Sequence, residues 1–135
     1  MKVTLEYRSD QEYRSINASG NIVDIDMFPE NKQAQSPTEL LLSGVVACAA
    51  VDIVSMIRKK RKTLVGFTGS AEGARRDEHP RKFVKIHVHY DLTSPDLNDE
   101  EAGKIITLAV EKYCSVAASL DPDIELTHGH TILRP

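Results

Sequence analysis

Apolar and polar residues alternate along residues 2–8: Val3, Leu5 and Tyr7 fall on one side, Thr4, Glu6 and Arg8 on the other. A period of two predicts a β-strand with one face to water. Residues 12–16 carry a weaker form of the pattern, and Asn17, Ala18, Ser19, Gly20 and Asn21 supply turn chemistry. Val23, Ile25 and Met27 then alternate with Asp24 and Asp26. Together these segments predict an antiparallel meander of three strands. Residues 28–35, with Pro29 and Asn31, make a polar connection that suits either a plain connector or a loop over a site.

The period changes at Ser36. Ser36 suits a helix N-cap, Pro37 the first helical position, and Glu39 the far half of a capping box. From Leu40 to Ile57 the only charge is Asp52, and apolar residues occupy every side of the helix. Such a helix is buried rather than laid on a surface. The basic run from Arg58 to Lys62 closes it where positive charge complements the helix dipole. A run of about eighteen apolar-dominated residues also meets the length criterion for a membrane span. Asp52 near its middle would cost about 2.5–3.5 kcal/mol in that setting. Ser43, Gly44 and the alanines dilute it further, so a central core helix is the expectation.

Residues 64–75 read as a strand punctuated by Gly66, Gly69 and Gly73, glycines that mark bulges or close backbone approach. Residues 83–92 alternate most clearly, with Val84, Ile86, Val88, Tyr90 and Leu92 facing one way, and they form a hairpin with the strand before. Asn98 and Glu101 are a second capping pair. Behind them Ala102, Ile105, Ile106, Ala109, Val110, Tyr113, Cys114 and Ala117 make an apolar stripe at helical spacing. Asp121-Pro122-Asp123 ends that helix, and residues 124–133 form a last strand. The order β-β-β-α-β-β-α-β lacks regular βα alternation, so the fold class is α+β with largely antiparallel sheet. Residues 1–135 are expected to make one domain.

Composition sharpens this. The chain has no Trp and only 5% aromatic residues, so aliphatic side chains must fill the core. A helix apolar on all sides needs cover on all sides, which a chain of 135 residues supplies only with a partner. A net charge of −3 argues against a general nucleic-acid binder, and no second apolar run supports a membrane protein. The N-terminal residues lack the apolar region of a signal peptide, which makes the cytoplasm the expected location.

The chemical signal is two cysteines, Cys48 and Cys114, each within a helix and on a core-facing surface. Neither belongs to a CxxC pair, which removes zinc and thioredoxin motifs. Buried helical cysteines often act as small hydrophobes. A redox pair requires one thiol to ionise beside positive charge or hydrogen-bond donors. Asp52, one turn from Cys48, opposes that, whereas an arginine would favour it. Arg8 and Arg14 on the N-terminal strands and the later Arg75 and Arg76 are the available cations. His87/His89 and His128/His130 each share a strand face, but no third ligand of suitable spacing completes a metal site. No phosphate-cradling motif and no Ser/His/Asp arrangement is present.

The segments Ser36-Pro37-Thr38-Glu39-Leu40-Leu41-Leu42 with Ala47-Cys48, and Glu111-Lys112-Tyr113-Cys114-Ser115-Val116-Ala117, resemble the two helix signatures of the OsmC/Ohr family, closest to its YhfA-like branch. The resemblance covers essentially the whole chain. It implies an intertwined homodimer in which two long central helices are wrapped by antiparallel sheets. It also implies thiol-dependent reduction of organic hydroperoxides, with Cys48 as the peroxidatic and Cys114 as the resolving cysteine. A dithiol would be the reductant, and no cofactor is needed. In the peroxidases of the family an arginine from the N-terminal strands and a glutamate near the start of the first helix hold the thiolate. Here Thr38 stands at that glutamate's place and Glu39 one position along. Arg8 and Arg14 both remain candidates, and Ser115 stands where many relatives have proline. Two further readings keep the fold: a non-catalytic binder of a small apolar ligand with structural cysteines, and a redox sensor without turnover.

Overall fold

The computed structural model describes residues 1–135 and divides them into two compact units, Met1–Leu41 and Leu42–Pro135. In the first, β1 (Val3–Ser9), β2 (Glu12–Asn17) and β3 (Ile22–Asp26) form the expected antiparallel meander, in the order β1-β2-β3. The Asn17 side-chain oxygen accepts the N–H groups of Ser19 and Asn21 at 3.0 and 2.9 Å, and Gly20 takes a positive φ of 83°. Register places Tyr7 opposite Tyr13 and Tyr13 opposite Ile25. Asp26 is the unit's one buried side chain. Its two carboxylate oxygens accept the N–H groups of Phe28 and Gln33, both at 2.8 Å, which pins the connection to the next helix. The strand with one wet face is corrected here: within this chain Val3, Leu5 and Tyr7 are 67%, 62% and 71% exposed.

The central helix α1 (Pro37–Lys59) begins at the capping box that the sequence predicts: Ser36 Oγ accepts from the Glu39 N–H at 3.3 Å, and Glu39 Oε1 accepts from the Ser36 N–H at 3.1 Å. It ends with Arg61 in the left-handed region (φ 58°), with Lys62 N–H donating to the Ile57 carbonyl and Arg61 N–H to that of Arg58. These are the two bonds of a Schellman motif. Only one stripe of α1 is fully buried: Val45, Ala49, Ile53 and Ile57. Val51, on another side, is 71% exposed, so the expectation of burial on every side fails within one chain.

In the second unit β4 (Gly66–Arg75), β5 (Phe83–Thr93) and β6 (Glu125–Leu133) make a three-stranded sheet in that order. The pair β4–β5 is the predicted hairpin. The pair β5–β6 is parallel, the one exception among the strand pairs of a fold expected to be largely antiparallel. The second helical segment lies between them as a crossover, the connection that parallel neighbours require. A register shift between Ala74 and Arg75 accompanies an inward Phe83 and leaves Val84 41% exposed, which corrects the predicted place of Val84. Ile86, Val88, Tyr90 and Leu92 are fully buried as predicted.

The second helix starts at Asn98 with both capping-box bonds formed, and α2 runs over Asp99–Leu108. It does not continue unbroken to Ala117. A π-helical turn, Ala109–Tyr113, leads to Cys114, whose backbone is extended (φ −71°, ψ 106°), and α3 (Ser115–Ala118) restarts beyond it. Ala102, Ile105, Ile106, Ala109 and Val110 still pack into the core with α1 and β5.

Candidate active site

Cys48 sits on the middle of α1, partly buried, and Cys114 sits in the break between the π-turn and α3, 3% exposed. Neither is in a disulfide. The break brings backbone donors onto sulfur. Cys114 Sγ caps α3 by accepting the Ala117 N–H at 3.3 Å. The N–H groups of Val116 and Ser115 and the Cys114 thiol are near enough to Cys48 to favour its charged form. The Cys114 S–H also has the Val45 carbonyl at 3.9 Å.

These contacts move the two thiols in opposite directions. Cys48 is pulled below the ordinary thiol range, chiefly by the Val116 N–H, with help from Cys114 and Ser115 and against the cost of burial. Asp52 opposes the shift, as its charge and spacing lead one to expect, but it is the smallest contribution. Cys114 is pushed up, chiefly by burial, against the lowering effect of the Ala117 N–H and with further help from its interaction with Cys48 and the charge that Cys48 acquires. One thiol is prepared to lose its proton and its neighbour to keep it.

The other predicted site residues have partners of their own. Glu39 is held to about pKa 2 by Lys32, whose Nζ lies 2.7 Å away, and by Ser36. It serves the start of α1, and Thr38 lies beside Ser36 with the hydroxyl oxygens 3.4 Å apart. Arg14 binds Asp24 at 2.7 Å within the meander, and Arg8 lines the same small cavity of the first unit. Sequence reasoning looked for a side-chain cation and missed the backbone donors at Ser115 and Val116. Neither glycine nor proline marks the break, so it carries no local signal. The histidine pairs are tied to other polar groups: His87 to Thr127 at 2.7 Å, His89 to Thr131 at 2.8 Å, His128 to Glu111 and His130 to Asp99. No group of three His, Cys, Asp or Glu side chains is placed to hold a metal ion.

Beyond Cys48 on α1, Ala50, Val51, Val54, Ser55, Arg58 and Lys59 line, with Phe67 of β4, an open groove of about 730 Å³. Its apolar floor and basic end are surfaces of the second unit alone. α1 is long and apolar enough to cross a membrane, yet its Val45–Ile57 stripe is packed in the protein core.

The fold and this pair of sulfurs define an α+β protein with a dithiol set between two helices. The chain belongs to the OsmC-like protein family, whose model matches residues 29–129. It is 35% identical to Protein YhfA of Escherichia coli K12 over 117 residues, 87% of each chain. Among solved structures, a hypothetical protein from Aquifex aeolicus VF5 superposes with a TM-score of 0.87 at 25% identity, covering 99% of this chain and 96% of that one. An organic hydroperoxide resistance protein from Elizabethkingia anophelis shares the fold with a TM-score of 0.75 at 15% identity, covering 98% and 97%.

Proposed function

We propose that the protein is a thiol-dependent reductase of organic hydroperoxides. The observation that carries this reading is the contact between Cys48 and Cys114 with their proton affinities moved apart. The name of the Elizabethkingia relative points the same way. Cys48 thiolate attacks the distal peroxide oxygen, the O–O bond breaks, and the alkoxide leaves and takes up a proton as the alcohol. Cys48 is then a sulfenic acid. The Cys114 thiol attacks that sulfur, water departs, and a disulfide joins the two helices. An external dithiol reduces the disulfide and restores both thiols. No step requires a metal or a bound cofactor. Activation comes from the amides of Ser115 and Val116 beside the Cys114 thiol, with Asp52 as a small brake.

The working form is a homodimer in the cytoplasm, with residues 1–135 acting as one domain. The exposed Val51 on α1 and the exposed apolar side of β1 are the surfaces a second copy would cover. A bulky organic peroxide suits an apolar cleft better than hydrogen peroxide does. A second reading, a carrier of a small apolar ligand, is favoured by the open apolar groove along α1.

The deciding experiment is consumption of cumene hydroperoxide with dihydrolipoamide as reductant. Wild type is expected to turn over, Cys48→Ser to be inactive, and Cys114→Ser to stall after one equivalent per Cys48. Wild-type turnover no faster than Cys48→Ser would reject the reductase for this substrate class and favour the ligand carrier.

A further inference from the structure

We propose that Tyr90 is the positioning residue of the dithiol, fixing the turn of α1 that carries Cys48 through a hydrogen bond to that helix's backbone. The inference rests on the reading of Cys48 and Cys114 as a working pair, and it assigns a task to a buried ionisable group that the peroxide chemistry does not use.

Tyr90 lies at the centre of β5, fully buried, and its hydroxyl donates to the Val46 carbonyl at 2.8 Å. Val46 is two residues before Cys48. The neighbouring carbonyl, that of Val45, faces the Cys114 thiol. Two consecutive carbonyls of α1 therefore each meet a donor from outside the helix, one from the sheet and one from the resolving cysteine. Both carbonyls belong to the turn of α1 that leads into Cys48, so the two donors hold that turn against the sheet and against the broken helix.

The ring is held as firmly as the hydroxyl. Phe67 stacks on it with centroids 5.5 Å apart and planes 15° from parallel. Gly69, opposite Tyr90 in register, has its backbone so close that a Cβ there would lie 2.9 Å from two ring carbons and 3.1 Å from Val46 Cγ2. Only a hydrogen fits between strand, ring and helix. Burial, and then the negative charge of the two cysteines, pushes the phenol's pKa up, so it stays a donor throughout the range in which Cys48 titrates.

The test is the pH profile of iodoacetamide alkylation, read separately at Cys48 and Cys114 by mass spectrometry, for wild type and Tyr90→Phe. The variant keeps the ring and its stacking and loses only the hydroxyl. The Cys48 midpoint is expected to rise by about half to one unit, with alkylation near neutral pH slowed about three- to tenfold and restored at high pH. A merely structural loss would lower melting temperature without moving the midpoint, and that result overturns the proposal while leaving the reductase reading intact. A wild-type Cys48 that titrates like a free thiol overturns both. Gly69→Ala, which pushes the ring off Val46 while keeping the hydroxyl, is expected to shift the midpoint the same way, and it decides the matter if Tyr90→Phe does not fold.

Discussion

The backbone N–H of Ser115, at the first position of α3, helps to lower the Cys48 pKa, and it can be edited without touching a side chain of the pair. Proline suits the first position of a helix and lacks only that N–H. The residue before a proline must be extended, and Cys114 already is, at φ −71° and ψ 106°. Ser115→Pro is therefore expected to fold normally, to raise the Cys48 midpoint, and to slow hydroperoxide reduction at neutral pH. Ser115→Ala keeps the N–H and should match wild type in both the alkylation profile and the activity assay. Equal profiles for the proline variant and wild type would show that the amide is not a working donor. Because Cys48 is active as the thiolate and its pKa is lowered, activity is retained somewhat below the ordinary thiol range and is lost as pH falls through its own midpoint.

At the level of elements, the ends of α1 carry its local stability. Arg61 occupies the left-handed position after the helix, where a side chain costs roughly 1–2 kcal/mol and glycine costs nothing sterically. Allowing for glycine's extra freedom in the unfolded chain, Arg61→Gly is expected to stabilise by about 0.5–1 kcal/mol in denaturant unfolding. At the other end Glu39 is lowered from 4.5 to about 2 by Lys32 and Ser36. Its contribution is thus present above about pH 4.5 and lost as pH falls toward 2. The melting-temperature difference between wild type and Glu39→Gln should accordingly shrink across that window. Both caps were legible because capping is a contract between residues three apart in sequence. The break at Cys114 was not. Its residues keep helical spacing and contain no helix breaker, and the amides it frees act on sulfur: one caps onto Cys114, and others lower the pKa of Cys48 on another helix.

On the scale of the whole molecule, α1 carries apolar surface that one chain leaves open. The homodimer reading makes a direct statement about mass: light scattering should give twice the chain's 15.0 kDa. Val51→Lys places a charge on the 71% exposed apolar side of α1 and is expected to shift the protein toward monomer without a large loss of helix by circular dichroism. A monomeric wild type would refute the homodimer. Such a result would also leave the apolar faces of α1 and β1 without the cover proposed for them.

The periodicities of two and 3.6, read one segment at a time, determined the element order, the meander, the central helix and the capped start of the second helix. Each of these follows from residues within one turn or one strand. The two cysteines stood out in the sequence as the candidate pair, because no other residue types stand in a reactive pattern. Tertiary structure alone decided the rest. The parallel pairing of β6, the inward turn of Phe83 and the partial burial of α1 depend on which elements meet, and local pattern does not encode that. The same holds for the site. The sequence directed attention to Arg8, Arg14 and Glu39 as charges for the thiolate, whereas the groups that lower the Cys48 pKa are the Cys114 thiol and two amides beside a broken helix. Backbone N–H groups are the same at nearly every residue, so only the fold can say which of them are left to bind sulfur.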